Sequence, residues 1–171
     1  MNIIINRDQI LTPLQHVIGA VERKQTLPIL GNVLIQTDNG KLTLTATDLE
    51  IELIAMLDIS VTEDFSTTVP ARKLLDICKA LPDKSEIKFN FEDNKVILVS
   101  GRSRFTLATL PAKDFPRVDE MKSLSQFTIS QKTLKLLIDK TAFAMAQQDV
   151  RYYLNGMLLE LSKDGIRLVA T

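Results

Sequence analysis

The chain repeats one pattern of apolar and polar residues after 124 positions. Residues 5–47 align with residues 129–171 without a gap, so that Ile5 falls on Ile129, Leu30 on Leu154 and Thr47 on Thr171. Identity between the two segments is low, and the agreement lies in the pattern. An ungapped match of this length favours duplication of one supersecondary unit. Coincidence is the alternative, since a strand, a helix and a hairpin in this order are common.

The first copy begins with a strand and a helix. Apolar residues recur every three or four positions over residues 7–21, which predicts an amphipathic helix with Asn6 as its N-cap. We expect Pro28 to begin an extended segment, residues 38–40 to form a tight hairpin turn, and Pro70 to open a second helix that ends before Pro82. The predicted strands cover residues 1–5, 32–37, 41–47, 48–56, 86–91, 95–99 and 102–109, with two more short candidates within 59–69.

The second copy contains fewer elements. Ser130 is the predicted N-cap of a helix that runs to about residue 146, followed by a polar and aromatic loop over 147–153 and two strands. Thr171 matches Thr47, after which the first copy continues with further strands and a second helix. We therefore expect the chain to stop within a domain and the natural protein to continue. Residues 111–124 are the predicted linker.

Composition limits the kinds of site that the chain can hold. It has 21 basic and 21 acidic residues in 171, so the net charge is zero, and a uniformly basic DNA-binding surface is excluded. A basic face opposite an acidic face remains compatible with this sum. The single cysteine, Cys78, and the single histidine, His16, exclude an internal disulfide and a four-ligand zinc site. We expect a cytoplasmic protein that needs no cofactor or metal and has no membrane segment.

Catalytic motifs are weak in this sequence. Asp48, Glu50 and Glu52 alternate along a predicted strand, where they form either a divalent-metal site of a nuclease or, as we favour, a solvated face. Ser100-Gly101-Arg102-Ser103 lies between strands, so it does not have the strand-to-helix context of a nucleophile elbow. We therefore expect a protein without a catalytic residue. A metal-dependent nuclease and a module that only binds peptides are the alternatives.

Three groups of residues suit contact with a polyanion or a partner. Lys24 and Gln148 occupy equivalent loops of the two copies, where a cation and an amide can both reach phosphates, or where the loops are simply solvated. Basic residues on the helices at 72–79 and 132–140 suit either a polyanion or solvent. Arg102 and Arg104 share one face of a predicted edge strand, and Phe105 and Leu107 share the other, which suits either a subunit interface or edge protection.

Several segments resemble the bacterial DNA polymerase III beta subunit, the sliding-clamp family. They are TLPILGNVLIQ (26–36), LTATDLEIEL (44–53), TVPARKLLDICKALP (68–82), SGRSRFTLATLPAKDFP (100–116) and QDVRYYLNGMLLE (148–160). The resemblance implies an α+β DNA-clamp fold, in which repeated domains each pack antiparallel sheet on two helices. It implies a complete first domain over residues 1–121, a truncated second domain over 122–171 and a third domain that this chain lacks.

The resemblance also assigns roles to residues and partners. It implies a non-catalytic processivity subunit that forms a homodimeric ring around double-stranded DNA. Its protein partners would be the polymerase III alpha subunit and clamp-loader subunits, bound through short peptide motifs. The implied DNA contacts are Lys24, Arg72, Gln148, Tyr152 and Tyr153. The implied dimer interface is Lys73, Arg102, Arg104, Phe105 and Leu107. The implied rim of the peptide pocket is Arg151, Leu154 and Thr171.

Overall fold

The computed structural model describes residues 1–21, 27–59, 63–117, 126–163 and 165–171. The chain divides into two compact units, Met1–Glu120 and Met121–Thr171. In the first unit the helices are α1 (Arg7–Val17) and α2 (Ala71–Ala80). The strands of this unit are β1 (Asn2–Asn6), β2 (Asn32–Asp38), β3 (Lys41–Thr47), β4 (Glu52–Asp58), β5 (Phe65–Pro70), β6 (Glu86–Glu92), β7 (Lys95–Ser100) and β8 (Ser103–Ala108).

Two four-stranded sheets form the frame of the first unit. Their strand orders are β1-β6-β7-β8 and β4-β3-β2-β5, and every neighbouring pair is antiparallel. An isolated bridge between Leu110 and Thr68 links the segment after β8 to β5. The two sheets and two helices form the predicted α+β architecture. Both β4 and β8 are edge strands of their sheets.

A capping box starts α1 at the predicted position. The Asp8 amide donates to Asn6 Oδ1 at 3.0 Å, and the Asn6 amide donates to Gln9 Oε1 at 3.3 Å. The α-helix ends at Val17, and a 3₁₀ turn over Ile18–Ala20 follows it. The predicted helix over 7–21 is therefore correct in place but overestimates the α-helical part, because a 3₁₀ turn tightens the helix end and keeps the same apolar spacing.

Both helices contribute one apolar stripe to a shared core. Helix α1 buries Ile10, Leu14 and Val17 and contacts β3, β4 and α2. Helix α2 buries its own stripe, and burial raises the pKa of the Cys78 thiol to about 11, so this thiol is a neutral core group. The strands supply the rest of the core, including Ile3, Ile5, Val33, Ile35, Leu42, Leu44, Ile87, Phe89, Val96 and Leu98.

Two local predictions are wrong. The segment after Pro28 is a 3₁₀ helix (Pro28–Gly31) rather than an extended strand, because a proline also suits the first position of a helical turn. The strand predicted over 48–56 begins only at Glu52. Asp48 Oδ1 accepts hydrogen bonds from the Glu50 and Ile51 amides at 3.0 and 2.9 Å, which makes this segment a turn.

The hairpin predicted between β2 and β3 is confirmed. Asn39 and Gly40 both have positive φ, at 48° and 77°, as a two-residue turn of the type I′ family requires. The three strands predicted over 86–109 are also confirmed as β6, β7 and β8. Over 59–69 the structure has β5 in place of the second predicted strand, and residues 60–62 lie outside the described part of the chain.

The second unit repeats the first with the predicted shift of 124 positions. It consists of α3 (Gln131–Thr141), 3₁₀ helices at Ala142–Ala144 and Tyr152–Asn155, β9 (Leu158–Ser162) and β10 (Gly165–Val169). Both ends of α3 and of each 3₁₀ helix fall on the ends of their counterparts in the first unit. Ser130 accepts the cap hydrogen bond from the Thr133 amide, as Asn6 caps α1. The duplication predicted from the sequence is confirmed.

Burial differs strongly between the two copies. None of the described residues in 126–171 is buried, whereas the first unit has a continuous core. Leu34 on β2 is 2% exposed, and its counterpart Leu158 on β9 is 57% exposed. Strand β2 pairs with both β3 and β5, whereas β9 pairs with β10 within its two-stranded sheet. The same sequence pattern therefore forms the same backbone without the same burial.

This matched pair of leucines tests where the stability resides. We expect Leu34→Ala to lower the free energy of unfolding of the first unit by about 2–5 kcal/mol, because it leaves a cavity at a buried site. Leu158→Ala should change the free energy of unfolding by less than about 0.5 kcal/mol, because the Leu158 side chain is already exposed. Urea titrations followed by circular dichroism provide the measurement. Equal losses for the two variants would contradict the assignment of the core.

A charged network joins the start of α1 to the loop after α2. Arg7 Nε donates to the Cys78 carbonyl at 2.8 Å, and the Arg7 guanidinium pairs with Asp8 at 2.8 Å and Asp83 at 2.9 Å. The Lys84 amide donates to Asp8 Oδ2 at 3.1 Å. The hydrogen bond from Arg7 is the largest cause that lowers the pKa of the Asp8 carboxyl. The network therefore favours the ionised form of Asp8 in the folded state.

This lowered pKa gives the stability a defined pH dependence. Ionised Asp8 stabilises the fold above the pKa of the unfolded chain, and this contribution is lost as the pH falls through the lower folded-state pKa. We expect Asp8→Asn to be less stable than the wild type at pH 7, with a gap that narrows in acid. Thermal unfolding from pH 7 to pH 3 measures it. Asp93→Asn, in the exposed β6–β7 turn, is the control, and a constant Asp8→Asn gap would refute the account.

Candidate nucleic-acid and protein contact surfaces

Arg72 lies in the first turn of α2, with its side chain at the surface. Its Nη2 donates to the Val21 carbonyl at 3.1 Å. Val21 ends the 3₁₀ turn after α1 and directly precedes residues 22–26, so Lys24 lies outside the described part of the chain. Among the described residues, this is the one hydrogen bond of a guanidinium that has five donors in all. Arg72 is thus an anchored, exposed cation.

The loop that follows α3 exposes the second group of predicted contacts. Gln148 adopts a left-handed backbone conformation with φ of 58°. Tyr152 and Tyr153 are 82% and 67% exposed, and their rings meet edge to face with centroids 6.1 Å apart. An amide and two aromatic rings therefore lie at the surface within six residues. Exposed tyrosines of this kind offer both a flat apolar surface and a hydroxyl.

Hydrogen bonds within this loop hold it in shape. The Asp149 amide donates to Asn155 Oδ1 at 2.9 Å, and Asn155 Nδ2 donates to the Asp149 carbonyl at 3.0 Å. Arg151 forms a two-point pair with the Asp149 carboxylate, through Nε at 3.1 Å and Nη2 at 3.0 Å. The Arg151 side chain lowers the pKa of Asp149, and Asp149 in turn raises the pKa of Arg151. Charge is therefore neutralised inside the loop.

The proposed dimer surface is centred on the edge strand β8. Arg104 is exposed on this strand and Phe105 is half-buried. Two details differ from the prediction. Arg102 belongs to the turn before β8 and does not share a strand face with Arg104. Leu107 is 5% exposed and packs in the core of the first unit, so its side chain does not form part of a contact surface.

Lys73 lies near the far end of the same edge strand. It lines a cavity of about 340 Å³. The other lining residues are Pro28, Gly31, Asn32, Pro70, Ala108, Thr109 and Leu110. The Asn32 side chain is buried and donates to Thr68 Oγ1 at 2.8 Å, and Thr68 Oγ1 donates to the Leu110 carbonyl at 3.0 Å. These bonds fix the chain where it leaves β8 and place Lys73 beside the end of an unpaired strand edge.

The residues predicted to form a pocket rim are in the second unit. Arg151 is exposed, and its carbonyl accepts a hydrogen bond from the Leu154 amide at 2.9 Å. Leu154 is half-buried, and its carbonyl accepts a hydrogen bond from the Ala146 amide at 2.9 Å. Thr171 is exposed and follows β10. The structure thus links Arg151 and Leu154 directly through the backbone.

The described residues limit the metal and membrane sites that this part of the chain can form. In that part of the chain no three His, Cys, Asp or Glu side chains are grouped so that they can hold a metal ion. The acidic alternation of Asp48, Glu50 and Glu52 is divided between a turn and β4, which removes the basis of the nuclease alternative. No helix within the described ranges is both long enough and apolar enough to cross a bilayer.

Family comparisons match both units in order. Residues 1–119 match the N-terminal domain of the DNA polymerase III beta subunit, and residues 128–171 match its central domain. The chain belongs to the DNA polymerase III beta subunit family. The two family models meet the chain on either side of the boundary between the two compact units, and this agrees with the repeat of 124 positions.

Individual beta subunits are similar over the whole chain. The beta sliding clamp of Pseudomonas aeruginosa is 54% identical over 172 residues, covering 100% of the chain and 47% of that relative. That of Escherichia coli K12 is 50% identical with the same coverage. A crystal structure of the Pseudomonas aeruginosa beta subunit gives a TM-score of 0.94 at 53% identity, covering 100% of this chain and 47% of that one. The chain spans about half the length of the curated relatives that it matches.

A beta subunit with lower identity has the same fold. The Caulobacter crescentus beta subunit gives a TM-score of 0.92 at 37% identity, covering 100% of this chain and 48% of that one. The α+β clamp architecture expected from the sequence is therefore confirmed for this chain. At 37% identity the feature that the two chains share is the backbone fold.

Two residues of the second-unit loop were missed by the sequence reasoning. Asp149 and Asn155 hold the loop together, yet neither was predicted to have a role. The available signal was the pairing of Asp149 with Arg151 two positions later, together with Asn155 just before Gly156, where short polar side chains commonly bind nearby backbone. Periodicity cannot reveal such contacts, because they depend on the loop conformation.

Proposed function

We propose that this chain is the N-terminal part of a sliding clamp that encircles duplex DNA and tethers the replicative polymerase. The observation that carries the proposal is the duplication of one helix-and-hairpin unit with identical helix boundaries, within a beta subunit family member. Residues 1–121 form the first clamp domain and residues 122–171 begin the second. The chain covers 47% of its Pseudomonas aeruginosa relative, and our proposal places a third domain in the part that this chain does not cover.

The clamp acts as a non-catalytic processivity subunit. A ring that encloses DNA needs neither base recognition nor a tight site, and weak phosphate contacts let it slide. A polymerase bound to the ring stays at high effective concentration near the primer end. The zero net charge supports weak contact rather than tight binding. We place the clamp in DNA replication, in the cytoplasm.

The DNA contacts are Lys24 and Arg72 from the first unit and Gln148, Tyr152 and Tyr153 from the second. Two observations support this assignment. Arg72 is exposed and bonded to a carbonyl, so its positive charge is not neutralised by a carboxylate among the described residues. The loops that hold Lys24 and Gln148 occupy equivalent positions in the duplicated unit.

The cations and the amide can be tested together. We expect a full-length protein carrying Lys24→Ala, Arg72→Ala and Gln148→Ala to dissociate from DNA at a lower salt concentration than the wild type does. Loss of two cations should also reduce the slope of log affinity against log salt by about two, since each phosphate contact adds about 0.9. Fluorescence anisotropy with labelled duplex measures both. Lys88→Ala, at an exposed strand position, is the control, and an unchanged slope in the triple variant would refute the DNA assignment.

The full-length protein forms a head-to-tail homodimer through the β8 edge. Among the described strands, β8 pairs on one side only, with β7, and exposed Arg104 together with Arg102 and Lys73 favours an acidic partner surface. Phe105, half-buried beside them, provides apolar contact. Leu107 supports the strand from within the core and contributes its backbone edge.

Charge reversal tests this interface. We expect Arg102→Glu with Arg104→Glu to weaken dimerisation of the full-length protein by at least about tenfold, because like charges then face each other. Sedimentation equilibrium measures the dissociation constant. Lys88→Glu changes charge on β6 without touching the β8 edge and should leave the dimer intact. A fully dimeric double variant would exclude these arginines from the interface.

The protein partners bind through short peptide motifs. Arg151, Leu154 and Thr171 lie on the rim of the receiving pocket, and the partners are the polymerase III alpha subunit and clamp-loader subunits. The direct backbone link between Arg151 and Leu154 supports a shared surface for these two residues.

A further inference from the structure

The loop at residues 148–155 is closed by a side chain that replaces a backbone hydrogen-bond pair. The Asn155 side-chain amide is both acceptor and donor. Its Oδ1 accepts a hydrogen bond from the Asp149 backbone amide at 2.9 Å, and its Nδ2 donates to the Asp149 carbonyl at 3.0 Å. These reciprocal bonds connect the start of the loop to its end. A side-chain amide is suited to this because it carries both groups at the spacing of a peptide unit.

A second set of bonds fixes the interior of the loop. The Asp149 carboxylate accepts from the Arg151 amide at 2.8 Å and from the Arg151 guanidinium at 3.1 and 3.0 Å. The Leu154 carbonyl accepts from the Ala146 amide at 2.9 Å, which joins the loop to the end of the helical segment. Asp149 therefore receives hydrogen bonds at both its backbone and its side chain.

These bonds explain an unfavourable backbone conformation. Gln148 has φ of 58°, in the left-handed region that residues with a Cβ seldom adopt. Such a conformation persists only where its surroundings determine it. Gln148 immediately precedes Asp149, so the contacts of Asp149 with Asn155 and Arg151 hold it there.

The network determines what the loop exposes. Tyr152 and Tyr153 stand at the surface four and five positions after Gln148, and the exposed Arg151 guanidinium is paired with the Asp149 carboxylate. Apart from this ion pair, the exposed groups of Gln148, Tyr152 and Tyr153 are neutral hydrogen-bond donors and aromatic rings. Groups of this kind bind the sugar–phosphate backbone without releasing counterions, and their contribution is insensitive to salt.

The first unit has no asparagine at the position equivalent to 155, so it cannot form this pair of hydrogen bonds. The position equivalent to Asn155 is Gly31, which has no side chain and cannot form the pair of hydrogen bonds that Asn155 makes with Asp149. Within the described part of the chain, the bonds of Asn155 are therefore a feature of the second unit that the duplicated backbone alone does not supply.

We propose that Asn155 and Asp149 are positioning residues that pre-organise the 148–153 loop for salt-insensitive contact with duplex DNA. The proposal rests on the DNA-binding function proposed above. A loop already ordered in its binding shape loses less conformational entropy when it binds. Neither residue needs to touch DNA, since each acts through Gln148, Tyr152 and Tyr153.

The test uses the full-length protein and a fluorescently labelled duplex. We expect Asn155→Ala to weaken binding by about tenfold, the effect of losing two hydrogen bonds that order the loop, with no change in the salt slope. Asn155→Asp keeps the acceptor and loses the donor, and should also weaken binding. Asn94→Asp is the charge-matched control, because Asn94 is exposed in the β6–β7 turn and contributes its backbone carbonyl to Thr109.

A second background separates positioning from general destabilisation. In a protein that already carries Gln148→Ala, Tyr152→Ala and Tyr153→Ala, the further change Asn155→Ala should lower the affinity for duplex DNA by less than about twofold, since the side chains that Asn155 positions are already removed. The same tenfold loss in both backgrounds would overturn the proposal. Hydrogen exchange at the Asp149 amide should also accelerate in Asn155→Ala, and unchanged protection would equally overturn it.

Failure of the DNA function would look different. If the variant carrying Gln148→Ala, Tyr152→Ala and Tyr153→Ala bound duplex as well as the wild type, the assignment of this loop to DNA would be wrong, whatever the exchange data showed. If the triple variant bound weakly but Asn155→Ala bound normally, the loop would contact DNA without needing the Asn155 bonds. Each result thus identifies which of the two proposals has failed.

Discussion

Packing of the α1 apolar stripe against β3, β4 and α2 is the interaction on which the first unit depends. A strand, a helix and a hairpin form one apolar face that they cannot bury by themselves. In the first unit the second helix and the remaining strands cover this face, and Leu14 and Leu44 become fully buried. In the second unit the same elements occur without those covering elements among the described residues, and the corresponding positions stay partly exposed.

The duplicated backbone tolerates this difference because its local determinants are independent of the core. Asn6 and Ser130 cap equivalent helices through different side chains, and equivalent 3₁₀ turns follow both helices. Capping and turn formation use hydrogen bonds between near neighbours, so they depend on local sequence. Burial depends on distant segments. The two copies therefore separate what local sequence determines from what tertiary packing adds.

Local determinants also explain which features were predictable from the sequence. Apolar periodicity located α1, α2 and α3, and the residues at the β2–β3 turn located that hairpin, because each signal lies within a few residues. The turn at Asp48 was missed because Leu49 and Ile51 alternate with acidic residues as a strand would. Leu107 was assigned to the dimer interface by resemblance, and the alternation of its strand could not show its burial, because alternation shows that two faces differ without showing which one is buried.

The sequence also does not show which of the charged residues are paired and which remain exposed. Counting cations does not distinguish Arg7, which is bonded to a carbonyl and two carboxylates, from Arg72, which remains exposed. Arg151 lies between these cases, exposed but paired with Asp149. A cation paired within its own loop adds little to phosphate attraction, so the DNA contact that we propose for this loop depends on neutral groups that need accurate placement. In the sliding ring that we propose, such weak contacts would re-form at each phosphate without a strong electrostatic barrier to movement.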